Sequence, residues 1–249
     1  MVISTLVLGL AQLPPPVLNG HSHNDYYRAR PLVEALLAGM CSIEADIFLI
    51  DGELRVGHSR VEAEKGKTLD EMYLDPLAKW PLVDGRLGKG WPEVTLLVDI
   101  KEKGAEIFPI LEQKIAARPS IFSEDAHVRA VRVVVSGDRP VAMILGSKVG
   151  WLGLDGRRGD LGKGIPVRRM PLVSESWSYV GWNKSVELPE ENLLRALNFT
   201  KSVFAEGRKS RFWGVPDRAD YWMLMKRLAV DWVNTDRPGA LRAWAQGPG

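Results

Sequence analysis

The sequence predicts an α/β fold, a (β/α)8 TIM barrel, on three observations. Strand-like and helix-like segments alternate along the chain, which favours a parallel sheet with crossover helices. The side chains able to do chemistry fall at the carboxyl ends of several different strands, where such barrels keep their sites. The length of 249 residues suits one barrel domain. No G-x-G-x-x-G or P-loop string follows a strand, which argues against dinucleotide and nucleoside-triphosphate binding.

Each element has its own justification. After the run Leu13-Pro14-Pro15-Pro16, residues 17–20 read as a short first strand that delivers His21 and His23 at its end. Residues 31–39 read as a helix, with proline in its first turn, helical apolar spacing and Gly39 to close it. Residues 41–50 form an apolar, β-branched run that reads as a buried strand. Asp51-Gly52 is then a hairpin signal, and 53–58 the returning strand that carries His58 back towards the run before it. Residues 59–92 are polar and rich in Gly and Pro, with an amphipathic piece over 69–80. They are expected to form a long loop with one or two short helices. Residues 94–100 are a buried strand and 105–117 a helix. Further strands are expected at 128–135, 141–145, 152–155, 170–174, 211–215 and 230–234, with helices at 189–207, 218–228 and 238–244.

Composition narrows the function classes. The apolar fraction of 45% and charged fraction of 26% are those of an ordinary soluble globular chain. A net charge of +2 gives no electrostatic case for a nucleic-acid or membrane-surface protein. The single cysteine, Cys41, excludes an internal disulfide and a multi-cysteine zinc site, and it reads as a small core residue. Residues 1–12 are apolar, end in a small-x-small pattern at Gly9-Leu10-Ala11 and are too short to span a bilayer. They lack Lys or Arg near the start. This leaves two readings: a minimal export signal, hence a secreted or periplasmic protein, or an N-terminus that plugs the barrel or is disordered in a cytoplasmic one. The chain is thus divided into an N-terminal apolar and proline segment, 1–16, and a single barrel domain, 17–246.

The chemistry concentrates between His21 and His58, a window holding three of the four histidines. Glu44 and Asp46 are two apart on a buried strand, so they point to one face with Ala45 to the other. Two desolvated carboxylates side by side repel unless something positive sits between them. A hard cation such as Mg²⁺ or Ca²⁺ is the simplest partner. Asp99 and Lys101 obey the same alternation on the next strand, and His23 and His58 flank the group. Three carboxylates around a cation, with two imidazoles and a lysine, suit phosphoryl chemistry: charge stabilisation from the cation and Lys101, proton transfer from the histidines. Taken singly, each piece has a plainer reading: solvated acids at a strand end, a structural Asp99–Lys101 ion pair, a surface His58. His127 has no partner pattern and reads as exposed. The joint, ordered occurrence is far more specific than any member.

The order His23, Glu44-x-Asp46, His58, Asp99-x-Lys101 resembles the phosphatidylinositol-phospholipase-C-like phosphodiesterase superfamily, which includes glycerophosphodiester phosphodiesterases and venom phospholipases D. The string HSHNDYYRARPLVEALLAGMCSIEADIFLIDGELRVGH is similar to the group named after altered inheritance of mitochondria protein 6. RFWGVPD (211–217) and VDWVNTDRP (230–238) look like that superfamily's seventh and eighth strands. The resemblance implies a TIM barrel of the phospholipase-C-like phosphodiesterase type, with a divalent cation, Mg²⁺ or Ca²⁺, held by Glu44, Asp46 and Asp99. It implies His23 and His58 as the acid–base pair and Lys101 as the phosphate-binding residue. His21, Trp213 and Trp232 are then expected to bind substrate, the tryptophans having core packing as their alternative, and Thr235-Asp236 to close the barrel top. The chain departs from glycerophosphodiesterases in lacking His-Arg-Gly and Pro-Glu-Asn-Thr and in having Asp99 where Glu is common. HSHND leaves His21 as the alternative to His23 for proton transfer.

The expected function is metal-dependent hydrolysis of a phosphoric diester, a glycerophosphodiester or phospholipid headgroup, in lipid metabolism. No nucleic-acid partner and no stable membrane insertion are expected. The competing class is a non-catalytic barrel that binds a metal or a phosphate. An amidohydrolase is disfavoured because only His127 follows His58.

Overall fold

The structure is a computed structural model that describes residues 12–125, 127, 129–149, 151–181 and 185–247. The export reading of the N-terminus falls on residues outside that set. Eight parallel strands wind into one barrel. Strand β1 (Val17–Ser22) leads through a short 3-10 turn and helix α1 (Val33–Leu37) to β2 (Met40–Ile50), the longest strand. Asp51 and Gly52 turn the chain with φ of 50° and 81°, as a two-residue hairpin requires. The return strand β3 (Glu53–Val56) then pairs antiparallel with β2 outside the barrel path.

The long connection after it contains α2 (Arg60–Lys65), a π-helical turn over Asp70–Leu74 and α3 (Asp75–Ala78). The remaining strands are β4 (Val94–Ile100), β5 (Val131–Gly137), β6 (Gly153–Gly156), β7 (Leu172–Ser176), β8 (Lys209–Trp213) and β9 (Val233–Thr235). Between or after them run α4 (Gly104–Ala116), α5 (Val141–Gly146), α6 (Glu190–Ala205), α7 (Ala219–Arg227) and α8 (Pro238–Gln246). The spatial order is β8-β7-β6-β5-β4-β2-β1-β9, and a parallel bridge between Arg211 and Trp232 brings the two sheet edges together.

One expected strand is a helix. Residues 141–145 belong to α5, because parallel neighbours such as β5 and β6 need a crossover and a five-residue apolar run fits either conformation.

Both faces of the strands are buried, but against different things. Outward residues such as Ile43, Ala45, Leu96, Val98, Val133 and Val135 pack under the helices in the main core. Inside the barrel, Cys41, Leu97, Val134, Leu172 and Trp232 form a separate apolar plug. Beyond the plug the interior turns polar, and this is where the sequence placed its acids. The proline segment packs beside the opposite end: Leu13 is buried, and Trp91 Nε1 donates to the Pro14 carbonyl at 2.9 Å. Among the described residues no helix is long and apolar enough to cross a membrane.

Candidate functional site

At the carboxyl end of the barrel Asp46 on β2 stands in register with Asp99 on β4, and Glu44 lies one inward position deeper. One oxygen from each of Glu44, Asp46 and Asp99 lies within 4.8 Å of the others. Glu44 and Asp46 are buried. Two cationic side chains face these three acids. Arg211 Nη2 reaches Glu44 Oε2 at 3.0 Å, and Lys101 Nζ lies 2.6 Å from Asp46 Oδ2 and 3.5 Å from Asp99 Oδ1.

Burial would raise the Glu44 pKa, but Arg211 and the bond from His21 outweigh it, and Glu44 is held ionised. Asp99 is less well compensated. Burial pushes it up to about 6, with Lys101 opposing and the Asp46 and Glu44 charges adding. The group also fits a cation at the level of single atoms. Asp46 Oδ1 is buried with no hydrogen-bond partner among the described residues, although buried carboxylate oxygens are ordinarily satisfied. An unclaimed oxygen beside two further carboxylates is the donor set of a hard divalent ion.

Both expected acid–base histidines stand around this group, each held by a carboxylate. His58 Nδ1 lies 3.1 Å from Asp46 Oδ2, and its backbone N–H donates to Glu62 at 2.9 Å. His23 Nδ1 lies 2.8 Å from Asp236 Oδ1, and its backbone N–H donates to the Thr235 carbonyl, joining the ends of β1 and β9. An ionised carboxylate only accepts, so in each ring Nδ1 carries the hydrogen and Nε2 is left as the acceptor. Burial alone would lower the His23 pKa, but the bond to Asp236 and the charges of Glu44 and Asp236 raise it.

Two expectations are corrected. His21 is fully buried beneath the acids, with Nδ1 2.7 Å from Ser42 Oγ and Nε2 3.0 Å from Glu44 Oε2. Burial first, then Arg211, lowers its pKa to about 4, so it stays neutral and braces Glu44 from below. Trp232 is 1% exposed in the apolar plug, with Lys209 Nζ 3.9 Å above its ring. It lies one inward position deeper than Asn234, which is level with His21, so it is withdrawn from the mouth. Trp213, by contrast, is 46% exposed at the end of β8.

Several site residues escaped the sequence reading. Tyr26 donates to Asp46 Oδ2 at 2.8 Å, Arg211 holds Glu44, and Asp236, expected only to close the barrel, anchors His23. Two of them left signals: an arginine in the buried run SRF needs a buried acid, and Tyr26 directly follows HSHND. That motif is built around Asp25, which is fully buried and accepts from Ser22 Oγ, Leu32 N and Tyr73 OH at 2.8, 2.6 and 3.1 Å. These bonds fix the loop that carries His23 and Tyr26. On the far side of the mouth, Asp155 accepts from Ser136 and Arg157, each at 2.8 Å. Gly137 must lack a side chain: at φ 73°, a Cβ there would lie 2.3 Å from Asp99 Oδ1.

Comparison with known proteins finds similar sequences and a similar fold. Residues 15–83 match the family model described as AIM6-like phosphodiesterase domain, a span that includes His23, Glu44, Asp46 and His58. The chain is 24% identical over 264 residues to "Altered inheritance of mitochondria protein 6" of Eremothecium gossypii, covering 89% of this chain and 68% of the relative. It is 28% identical over 270 residues to the Arthroderma benhamiae homolog of that protein, covering 93% and 84%. In fold it matches a glycerophosphodiester phosphodiesterase from Parabacteroides distasonis with a TM-score of 0.57 at 14% identity, covering 92% of this chain and 97% of the other.

Proposed function

We propose that this chain, whose residues 15–83 match an AIM6-like phosphodiesterase domain, is a metal-dependent phosphoric diester hydrolase acting on a glycerophosphodiester or a phospholipid headgroup. The observation that carries the reading is the convergence, at one barrel mouth, of three carboxylates with an unclaimed oxygen, a lysine and two carboxylate-held histidines. Glu44, Asp46 and Asp99 would hold Mg²⁺ or Ca²⁺, which supplies charge neutralisation at the phosphate oxygens.

The rest is done by the chain itself. Lys101, fixed on Asp46, adds a second positive charge where the phosphoryl group gains negative charge. The Nε2 of one histidine takes the proton of the attacking water or substrate hydroxyl. The other histidine, protonated, gives its proton to the departing oxygen, and the two exchange roles to complete the cycle. Asp236 and Asp46 hold the rings so that Nε2 faces the reaction. Arg211 and His21 keep Glu44 ionised.

A panel of bis(p-nitrophenyl) phosphate, glycerophosphocholine and lysophospholipids, assayed with EDTA and again after adding back Mg²⁺ or Ca²⁺, tests the reading. Hydrolysis that stops with chelator and returns with metal is expected. His58→Ala should lower turnover on the order of a hundredfold or more. Binding of these esters without turnover would make the protein a phosphate-binding barrel, and full activity in His58→Ala would end the two-histidine scheme.

A further inference from the structure

The two oxygens of Asp46 are treated in opposite ways. Oδ2 has three donors around it: Lys101 Nζ at 2.6 Å, Tyr26 OH at 2.8 Å and His58 Nδ1 at 3.1 Å. Oδ1 is buried with none among the described residues. A carboxylate held at one oxygen by a single flexible side chain can turn about its Cβ–Cγ bond and exchange its oxygens. Held from three directions, it cannot.

Of the three donors Tyr26 is the stiff one. Lysine reaches Asp46 through a four-carbon stem, and the His58 ring is about half exposed. Tyrosine has two side-chain torsions, and Tyr26 starts from a fixed backbone. It lies in the 3-10 turn Asp25–Tyr27, just after Asn24 in the left-handed region at φ 44°, with buried Asp25 tying the turn to Ser22 and Leu32. Its ring packs on Tyr27 with centroids 4.8 Å apart. The phenol carries one hydrogen, and the ionised carboxylate is a stronger acceptor than the neighbouring Asn24 Oδ1 at 2.9 Å. The phenol oxygen is then left towards His58 Nδ1 at 3.4 Å, so the same hydroxyl touches both the carboxylate and the ring that the carboxylate holds.

We infer that Tyr26 is a positioning residue that assigns the oxygens of Asp46, fixing Oδ2 as the internal acceptor so that Oδ1 alone faces the cation, and that the same contact sets the plane of the His58 ring. The inference rests on the proposed metal-dependent reading and deepens it. Tyr26 touches neither the phosphate nor the cation. Its effect passes through Asp46 to the ion and through Asp46 and His58 to proton transfer.

Tyr26→Phe keeps the ring and its packing and removes only the hydroxyl. Calorimetric titration of the chelator-treated protein with MnCl2 should show an affinity tenfold to a hundredfold weaker than wild type, the range set by one hydrogen bond to a charged acceptor. The ¹⁵N resonances of His58 should show the Nδ1–H tautomer losing its dominance, while the metal-free protein still melts in one cooperative transition. Tyr27→Phe, which loses only the exposed contact with Glu62, should match wild type in all three measurements. Equal Mn²⁺ affinity in wild type and Tyr26→Phe, with an unchanged His58 signature, overturns the inference while leaving the phosphodiesterase reading intact. A wild-type protein that binds no Mn²⁺ overturns both.

Discussion

Replacing Arg211 with methionine removes a buried positive charge while keeping much of the side-chain bulk. Arg211 is 3% exposed, with Nη2 3.0 Å from Glu44 Oε2 and Nε 3.0 Å from Asn234 Oδ1. Without it Glu44 stays buried beside Asp46 and Asp99, with neutral His21 as its remaining hydrogen-bond partner. Breaking a buried ion pair by removing one member costs about 3–5 kcal/mol, because the other charge is left uncompensated. At about 2–4 °C per kcal/mol for a chain of this size, the thermal midpoint of metal-free protein should fall by about 6–20 °C. The measurement belongs at pH 8. Arg211 is one cause of the low His21 pKa, and near pH 6 proton uptake by His21 would hide part of the loss. If the stranded carboxylate is the cause, adding Glu44→Gln should recover most of the midpoint, and saturating Mg²⁺ should recover part of it in the single variant. A single variant within about 2 °C of wild type, or a double variant no more stable than the single, would refute the reasoning.

Other consequences follow from the same geometry. In Asp236→Asn the His23 pKa should fall, because the Asp236 bond and charge help to raise it. The limb of the kcat/KM profile that belongs to His23 should then move to lower pH, and an unmoved limb would separate Asp236 from the chemistry. Burial pushes the Cys41 thiol up to about 12. At pH 8 native protein should resist Ellman's reagent, whereas protein unfolded in guanidinium should release one equivalent of thiolate colour; rapid labelling of native protein would contradict this. If a neighbouring substrate hydroxyl is the nucleophile, ³¹P spectra of the products should contain a cyclic phosphate, and a purely linear product would assign the attack to water.

What the sequence disclosed and what it concealed divide along a physical line. The alternation in Glu44-x-Asp46 and Asp99-x-Lys101 is local, and a buried parallel strand preserves it, so the acid face could be read directly. Asp51-Gly52 was equally legible, because few other residue pairs accept two positive φ values. Alternation tells which face a side chain takes but not how deep it lies. Depth comes from register between strands, and that register puts Trp232 in the plug and His21 level with Ser42, beneath Glu44. Closure was harder still to see. Asp236 meets His23 across 213 residues because the first and last strands pair, and Arg211 on β8 reaches Glu44 on β2 across 167 because the curled sheet turns both strands towards one interior. Residues 141–145 show a third limit: a short apolar run carries no period long enough to distinguish strand from helix.

The most direct measurement of the central claim titrates Mg²⁺ into chelator-treated protein and follows bound ion by calorimetry and phosphodiester turnover in the same samples. The account predicts that both saturate together at one ion per chain, and that both vanish in Asp46→Asn. Full turnover before any ion is bound, or an Asp46→Asn variant that binds and hydrolyses like wild type, would contradict it.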